Sequence, residues 1–245
     1  MGLTGHSTYE TRLVHRYDVA EGTMAFEFEK PDRFEFTPGQ FIDMTLMSSS
    51  ETDAEGNVRA FSIASAPEED LLMVATRMRD TAFKRALRTM PLGTAVTIEG
   101  PFGSLVLHAD AARPAVFLAG GIGITPFRSI LLHARNEKLP HRFFLFYTNR
   151  RPEDAPFLDE LQSMERRNPR LTFIGTMTDM AGSHRSWQGE TGYIDEGMVA
   201  KYLKEIQTAI YYIAGPPAMV DALRAMLTRG GIERHNIRIE GFAGY

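Results

Sequence analysis

The sequence predicts two domains: an antiparallel six-stranded β-barrel over residues 1–112, then a doubly wound α/β domain with a parallel five-stranded sheet over 113–245. Three observations predict this. The first hundred residues carry short alternating or β-branched runs separated by turn residues, the pattern of antiparallel strands. From Ala115 onward the pattern changes, and short apolar runs alternate with segments of helical period. Between the two lies HADAARP, His108 to Pro114, which reads as a linker.

In the first domain, TRLVHRYDVA and MAFEFEK are strands on alternation and β-branched or aromatic content. PDRFEFTPGQFIDMTL turns at Pro38-Gly39 and continues as a strand. SSSETDAEGN, residues 48–57, is a polar loop. VRAFSIAS and LLMVATRM are strands, and AFKRALRTM is a short helix. LGTAVTIEGPFGSLVL supplies two further short strands around a Gly-Pro-Phe-Gly turn. About six strands spaced in this way close into a small barrel or sandwich.

In the second domain the strands are AVFLA, HRFFLFYT, LTFIGTMT, AIYYIAG and NIRIEGF. The helices between them are ITPFRSILLHARNEK, PFLDELQSMERR, GMVAKYLKEI and PAMVDALRAMLTRG. Strands that are apolar on both faces, each followed by an amphipathic helix, specify a parallel sheet covered on both sides.

Composition narrows the function. A net charge of −4 with no Lys/Arg block gives no support for nucleic acid. The chain has no cysteine, which removes disulfides, iron–sulfur clusters, thiolate metal sites and a catalytic thiol, and fits a reducing cytoplasm. The seven histidines lack zinc-type spacing, so no metal is expected. MGLTGHSTYE lacks the basic and apolar regions of a leader, and no apolar run reaches the roughly 20 residues of a membrane span.

Two glycine-containing turns carry the chemistry. In VFLAGGIGITPFRSIL, Gly120, Gly121 and Gly123 allow a tight turn and close approach of a ligand. Thr125 is placed to cap the following helix, and Pro126 suits its first position. A helix that starts straight after such a turn offers free N–H groups to a pyrophosphate. The first strand–helix turn of an open α/β sheet is where such folds bind nucleotides. YIAGPPAMVDAL repeats the arrangement later, with Gly215, Pro216 and Met219 at a second strand end.

The motifs RAFS, GPFG, GGIGITP and AGPPAM, in this order and at these distances, resemble those of ferredoxin–NAD(P)H reductase-type flavoproteins, relatives of cytochrome b5 and flavodoxin reductases. The resemblance covers nearly the whole chain. It implies a flavin domain followed by a nucleotide domain, with FAD favoured over FMN, and NADH or NADPH as substrate. It gives Arg59 to a flavin phosphate, Phe61 to the face of the isoalloxazine, and Ser62 to the neighbourhood of flavin N5, with Ala60 between them. ATRMRDTAFKRAL matches the segment that holds the flavin pyrophosphate, with Ala75, Thr76, Arg77, Thr81, Ala82 and Phe83 as its contacts. Gly120, Gly121, Gly123, Thr125, Pro126, Gly215, Pro216 and Met219 become nicotinamide-nucleotide contacts. Asn149, Arg150 and Asp179, at the ends of the second and third strands, fall to the adenine side. Many members carry Cys where this chain has Ala214.

An acidic residue near the ribose favours NADH, so Asp179 points to NADH, whereas Arg150, Arg151 and Arg185 point to NADPH if they reach the site. The final Tyr245 resembles the terminal aromatic that shields the flavin in some reductases. With Ser62 it forms the expected catalytic pair. The leading function is hydride transfer from NAD(P)H to flavin. Electrons then pass to a separate acceptor: ferredoxin, flavodoxin, or an oxygenase or haem component. The alternative is a flavin- and nucleotide-binding docking subunit without turnover. A monomer is expected.

Overall fold

A computed structural model of the protein describes residues 7–47, 53–54 and 56–241. Tyr245, the first six residues of the segment read for a leader and most of the 48–57 loop lie outside the described residues.

The first sheet is built on β1 (Ser7–Ala20), a strand long enough to serve two neighbours. Its first half, Ser7 to Arg12, pairs with β6 (Ala95–Phe102), and Leu13 to Ala20 pair with β2 (Thr23–Glu29). With β3 (Phe41–Leu46), β4 (Val58–Ser62) and β5 (Leu71–Arg77), the order is β4-β3-β6-β1-β2-β5. The neighbouring pairs are antiparallel, and an isolated bridge between Ile63 and Val74 joins the two outer strands. The six-stranded barrel expected from the sequence is therefore observed. Its interior holds Leu13, Phe26, Phe28, Ile42, Phe61, Ile63, Val74 and Ile98, plugged by Phe83 and Leu87 of α1 (Ala82–Thr89).

One local expectation fails. Gly100 and Pro101 do not form a turn between strands, because β6 runs through them to Phe102, and no named strand covers Ser104 to Leu107. Gly100 accommodates this with φ +144° and a cis bond to Pro101.

The second sheet contains β7 (Ala115–Gly120), β8 (Phe143–Asn149), β9 (Leu171–Met177), β10 (Glu190–Thr191), β11 (Ile210–Gly215) and β12 (Ile237–Gly241). Their order is β10-β9-β8-β7-β11-β12, all parallel. The five expected strands are present. The sixth, β10, is a two-residue edge that sequence period cannot reveal. Alternation along β7 explains the double cover. Phe117 and Ala119 join one apolar cluster with Phe127 and Ile130 of α2 (Thr125–Asn136) and Leu161 of α3 (Leu158–Arg167). Val116 and Leu118 join the opposite cluster with Val199 of α4 (Glu196–Tyr202) and Leu223 of α5 (Pro217–Arg229). The order of the strands reverses about β7, which lies between β8 and β11, so the carboxyl ends of β7 and β11 flank a switch point. Among the described residues no helix is long and apolar enough to cross a membrane.

Candidate active site

The two glycine turns meet at that switch point. A Cβ on Gly123 would collide with the Ala214 carbonyl and sit 2.6 Å from the Gly215 nitrogen. Because those are backbone atoms, only glycine lets the first turn pack against the end of β11. Met219 of α5 closes the other side, lying against both Gly120 and Gly215. Gly121 has φ +53° and open space around it, so its role is conformational. Thr125 departs from its expected capping role. Gly121 to Ile124 form a 3-10 turn that runs directly into α2, and the Thr125 hydroxyl donates back to the Ile122 carbonyl at 3.0 Å. Pro126 does occupy the first turn of α2.

In the barrel, β4 and α1 make a cradle for an anion. Asp53 fills it here: one carboxylate oxygen is 3.0 Å from the Arg59 guanidinium, and the other accepts the Ala82 N–H at 3.0 Å. Thr81 caps α1 by accepting the Lys84 N–H, which leaves the Ala82 amide for that oxygen. Arg59 also lies over the Phe83 ring, 5.2 Å from its centroid. A guanidinium and a helix amide sharing one carboxylate are the donor set that suits a phosphate. Ala75 and Thr76 are buried on the neighbouring β5, and Arg77 is exposed at its end.

Phe61 is 6% exposed and packs inside the barrel against Phe83, at 5.8 Å between ring centroids. Strand alternation puts it with Ile63, facing inward. Ala60 is exposed on the other face. Ser62 is 3% exposed, and its hydroxyl has no hydrogen-bond partner, an orphan that suits a ligand contact.

At the ends of β8 and β9, Asn149 is buried with its side-chain nitrogen unpartnered. Asp179 lies beside it in the fold: its N–H bonds the Arg150 carbonyl at 3.0 Å, and its carboxylate accepts the Ala181 N–H. The three arginines that argue for NADPH carry acidic partners. Arg150 pairs with Asp154 at 3.4 Å, Arg151 with Asp154 and Glu21 at 3.1 and 2.9 Å, and Arg185 with Asp159 at 2.6 Å.

Glu240 was not foreseen as a site residue. It stands opposite Ala214 in the β11–β12 register and reaches the barrel, where its Oε1 would lie 3.1 Å from a Cβ on Gly103, beside the Phe41 ring. Phe41 in turn pairs with Ser62. The other oxygen, Oε2, is buried without a partner, and burial raises the Glu240 pKa to about 7. The available sequence signal is a single acid in the mixed strand NIRIEGF, which gives no indication of burial.

Comparison with known proteins matches this arrangement. Residues 10–107 match the oxidoreductase FAD-binding domain, and residues 117–225 match the oxidoreductase NAD-binding domain. Together the two models cover most of the chain, which carries an oxidoreductase FAD-binding domain followed by an oxidoreductase NAD-binding domain. It is 25% identical over 244 residues to the toluate 1,2-dioxygenase electron transfer component of Pseudomonas putida, covering 98% of this chain and 69% of that one. It is 26% identical over 220 residues to the reductase component of the propane 2-monooxygenase of Mycolicibacterium smegmatis, covering 87% of this chain but 61% of the relative. The structure superposes on the ferredoxin reductase in carbazole 1,9a-dioxygenase with a TM-score of 0.81 at 24% identity, over 97% of this chain and 69% of that one. This chain therefore spans only part of the length of the relatives it matches. The reductase fold accounts for both sheets. The two domains are those of an FAD-dependent NAD(P)H oxidoreductase, and the anion cradle and the orphan Ser62 hydroxyl fit the flavin.

Proposed function

We propose that this reductase oxidises NADH with bound FAD and delivers electrons to a separate redox protein, such as an oxygenase or haem component. The observation that carries it is a run of contacts between the two sheets: Gly123 packs on Ala214 and Gly215, Ala214 stands opposite Glu240, Glu240 reaches Gly103 and Phe41, and Phe41 pairs with Ser62. We place the boundary between flavin and nucleotide domains at residues 112 and 113.

Bound FAD supplies hydride acceptance and onward electron release; the chain supplies binding and orientation. Arg59 and the α1 amides of Ala82 and Phe83 hold the phosphates in place of Asp53. Beyond Ser62, β4 meets β5 at the Ile63–Val74 bridge, so Ala75 to Arg77 border the same seam as Arg59 and Ser62. Arg59 on one face of β4 and Ser62 on the other would hold a flavin at that seam. Ser62 offers a hydroxyl at the ring. Glu240 holds a proton near neutral pH at the junction between the sheets. Gly121, Gly123, Pro216 and Met219 border the nicotinamide, and Asn149 and Asp179 the adenosine side. The carboxylates paired with Arg150, Arg151 and Arg185 disfavour a 2′-phosphate, which supports NADH over NADPH. Tyr245 retains its role as a flavin shield in this reading.

Anaerobic mixing tests the proposal. Purified protein loaded with FAD should be yellow and bleach on addition of NADH, faster than with NADPH. Protein that stays yellow with both nucleotides supports the docking alternative without turnover. Protein that takes up no flavin refutes both.

A further inference from the structure

The turn that follows Ser62 is fastened to the nucleotide domain by a buried cation. Arg128, on α2, is 5% exposed. Its guanidinium forks onto Glu160 of α3, with Nε to Oε2 at 2.8 Å and Nη2 to Oε1 at 2.9 Å. Its remaining nitrogen, Nη1, donates to the Ala64 carbonyl at 2.7 Å and lies 3.4 Å from Glu69. The guanidinium rests on the Phe157 ring, 4.9 Å from the centroid, and Phe157 is held at φ +60°. The next residue, Ser129, is fully buried and donates to the Ser65 carbonyl at 2.7 Å. Glu69 also accepts the Ala66 N–H at 2.7 Å. Three consecutive residues after the Ser62–Ile63 strand end are thereby fixed by directional bonds to α2 or to its acidic partner.

These contacts exceed what adhesion requires. The interface around them is apolar, with Ala64, Ala66, Met73, Ala75 and Leu105 of the barrel packed in one cluster with Phe127 and Ile130 of α2. Burying an arginine there costs desolvation that its carboxylates must offset, so a buried ion pair is weak support for stability alone. Apolar contacts tolerate sliding, whereas a planar fork with carbonyl acceptors fixes one register. The position gives that register a purpose. Helix α2 begins at Thr125, directly after the Gly121–Ile124 turn, and Ala64 lies two residues beyond Ser62.

We propose that Arg128, seconded by Ser129, is a positioning residue that sets the separation between the nicotinamide turn and the flavin-facing end of β4. The inference rests on the hydride-transfer function proposed above. Displacement of reacting groups by about 1 Å can cost on the order of 100-fold in rate, so loosening this latch slows the chemical step while leaving each ligand's own contacts intact.

The test uses the FAD-loaded chain and the variants R128Q, R128K and S129A, with E160Q to release the fork from its other end. FAD affinity is read by fluorescence quenching, and bleaching at saturating NADH by anaerobic stopped flow. Deuterated NADH gives the isotope effect, and hydrogen exchange reads residues 63–67 in the unloaded protein. The expected result for R128Q is bleaching about 10- to 100-fold slower, with FAD affinity and the NADH concentration dependence within about threefold of the parent. R128K should fail to restore the rate, because ammonium cannot make the fork. S129A and E160Q should show smaller losses of the same kind, and they serve if R128Q does not fold. Exchange over 63–67 should quicken in each variant. Unchanged bleaching in folded, loaded variants overturns the proposal. So does a rate loss that merely follows lost FAD affinity, which would show a structural role. A parent protein that binds FAD but is not bleached overturns the hydride-transfer function and this inference with it, and the parent control identifies that case.

Discussion

Replacing Glu240 by Gln should stabilise the protein at alkaline pH and leave it nearly unchanged in acid. Glu240 is partly buried at the domain junction with its Oε2 buried and unpartnered, and burial moves its pKa from 4.5 to about 7. At 1.36 kcal/mol per pKa unit, ionising it in the folded state costs about 3 kcal/mol more than in the unfolded chain. The sign follows from proton binding. Between pH 4.5 and 7 the folded protein holds a proton that the unfolded chain releases, so this contribution is complete in acid and is lost as the pH rises through 7. Gln keeps the shape without the charge. Local relaxation and water entry will reduce the full figure, so a gain of about 1–3 kcal/mol is expected at pH 8, and close to none at pH 4.5. For a chain of this length that corresponds to a melting temperature higher by about 2–12 °C. Thermal melts of parent and E240Q across that pH range measure it. Curves that stay parallel would show that Glu240 is solvated or paired, and would withdraw it as a proton-holding group of the junction.

Four further outcomes follow from the geometry. Gly123→Ala should lower stability by about 1–3 kcal/mol and abolish bleaching by NADH, because the new methyl meets the Ala214 backbone; a thermal melt unaltered from the parent's would refute the close packing. Asp53→Asn should tighten FAD binding by about 3- to 10-fold in fluorescence titrations, since the carboxylate that competes for Arg59 and Ala82 is gone; weaker binding would show that Asp53 supports the flavin instead. Asp179→Ser should lower the NADH:NADPH ratio of kcat/KM by about tenfold, and an unchanged ratio removes Asp179 from cosubstrate choice. His108 is buried and its pKa is lowered from 6.5 by desolvation, so it stabilises the fold above that pH and the benefit fades as the medium is acidified. His108→Gln should therefore flatten the acid-side decline in melting temperature, and an identical decline would assign it to other groups.

The fold was legible where the local period matched burial. Strand β7 reads as a core strand because Val116 and Leu118 face one helix layer while Phe117 and Ala119 face the other, and no position needs to be polar. Glycine positions were legible for a related reason: Gly123 is demanded by the backbone contact with Ala214, and that demand is written in the sequence as a missing side chain. Residues whose meaning depends on the other domain were not legible. Arg128 sits in an amphipathic helix and reads as a solvated charge; it becomes a buried latch only when Ala64 is brought against it. Glu240 is likewise ordinary until Gly103 and Phe41 arrive from the barrel. Thr125 was misread because sequence places a helix start within a few residues, whereas the 3-10 turn preceding α2 reverses the hydroxyl's role from acceptor to donor.

Strand β4 shows why RAFS combines residue types that neither a core nor a surface would select. Phe61 and Ile63 face into the barrel, whereas Ala64 and Ala66 belong to the cluster built around α2. Strand β4 is thus fixed in the barrel, while the segment that follows it forms the wall against the second domain. Arg59 lies at the barrel's anion cradle over Phe83, and Ser62 lies on the opposite face with a hydroxyl that no protein atom satisfies. A ligand able to satisfy both must carry negative charge at one end and hydrogen-bonding atoms at the other, and must cross the strand's edge to do so. A flavin dinucleotide meets that requirement. The aromatic residue in the motif then serves mainly to fix the strand in the barrel, so that Arg59 and Ser62 keep their spacing. Under this reading Phe61→Leu loosens the barrel, and Ser62→Ala alters the flavin.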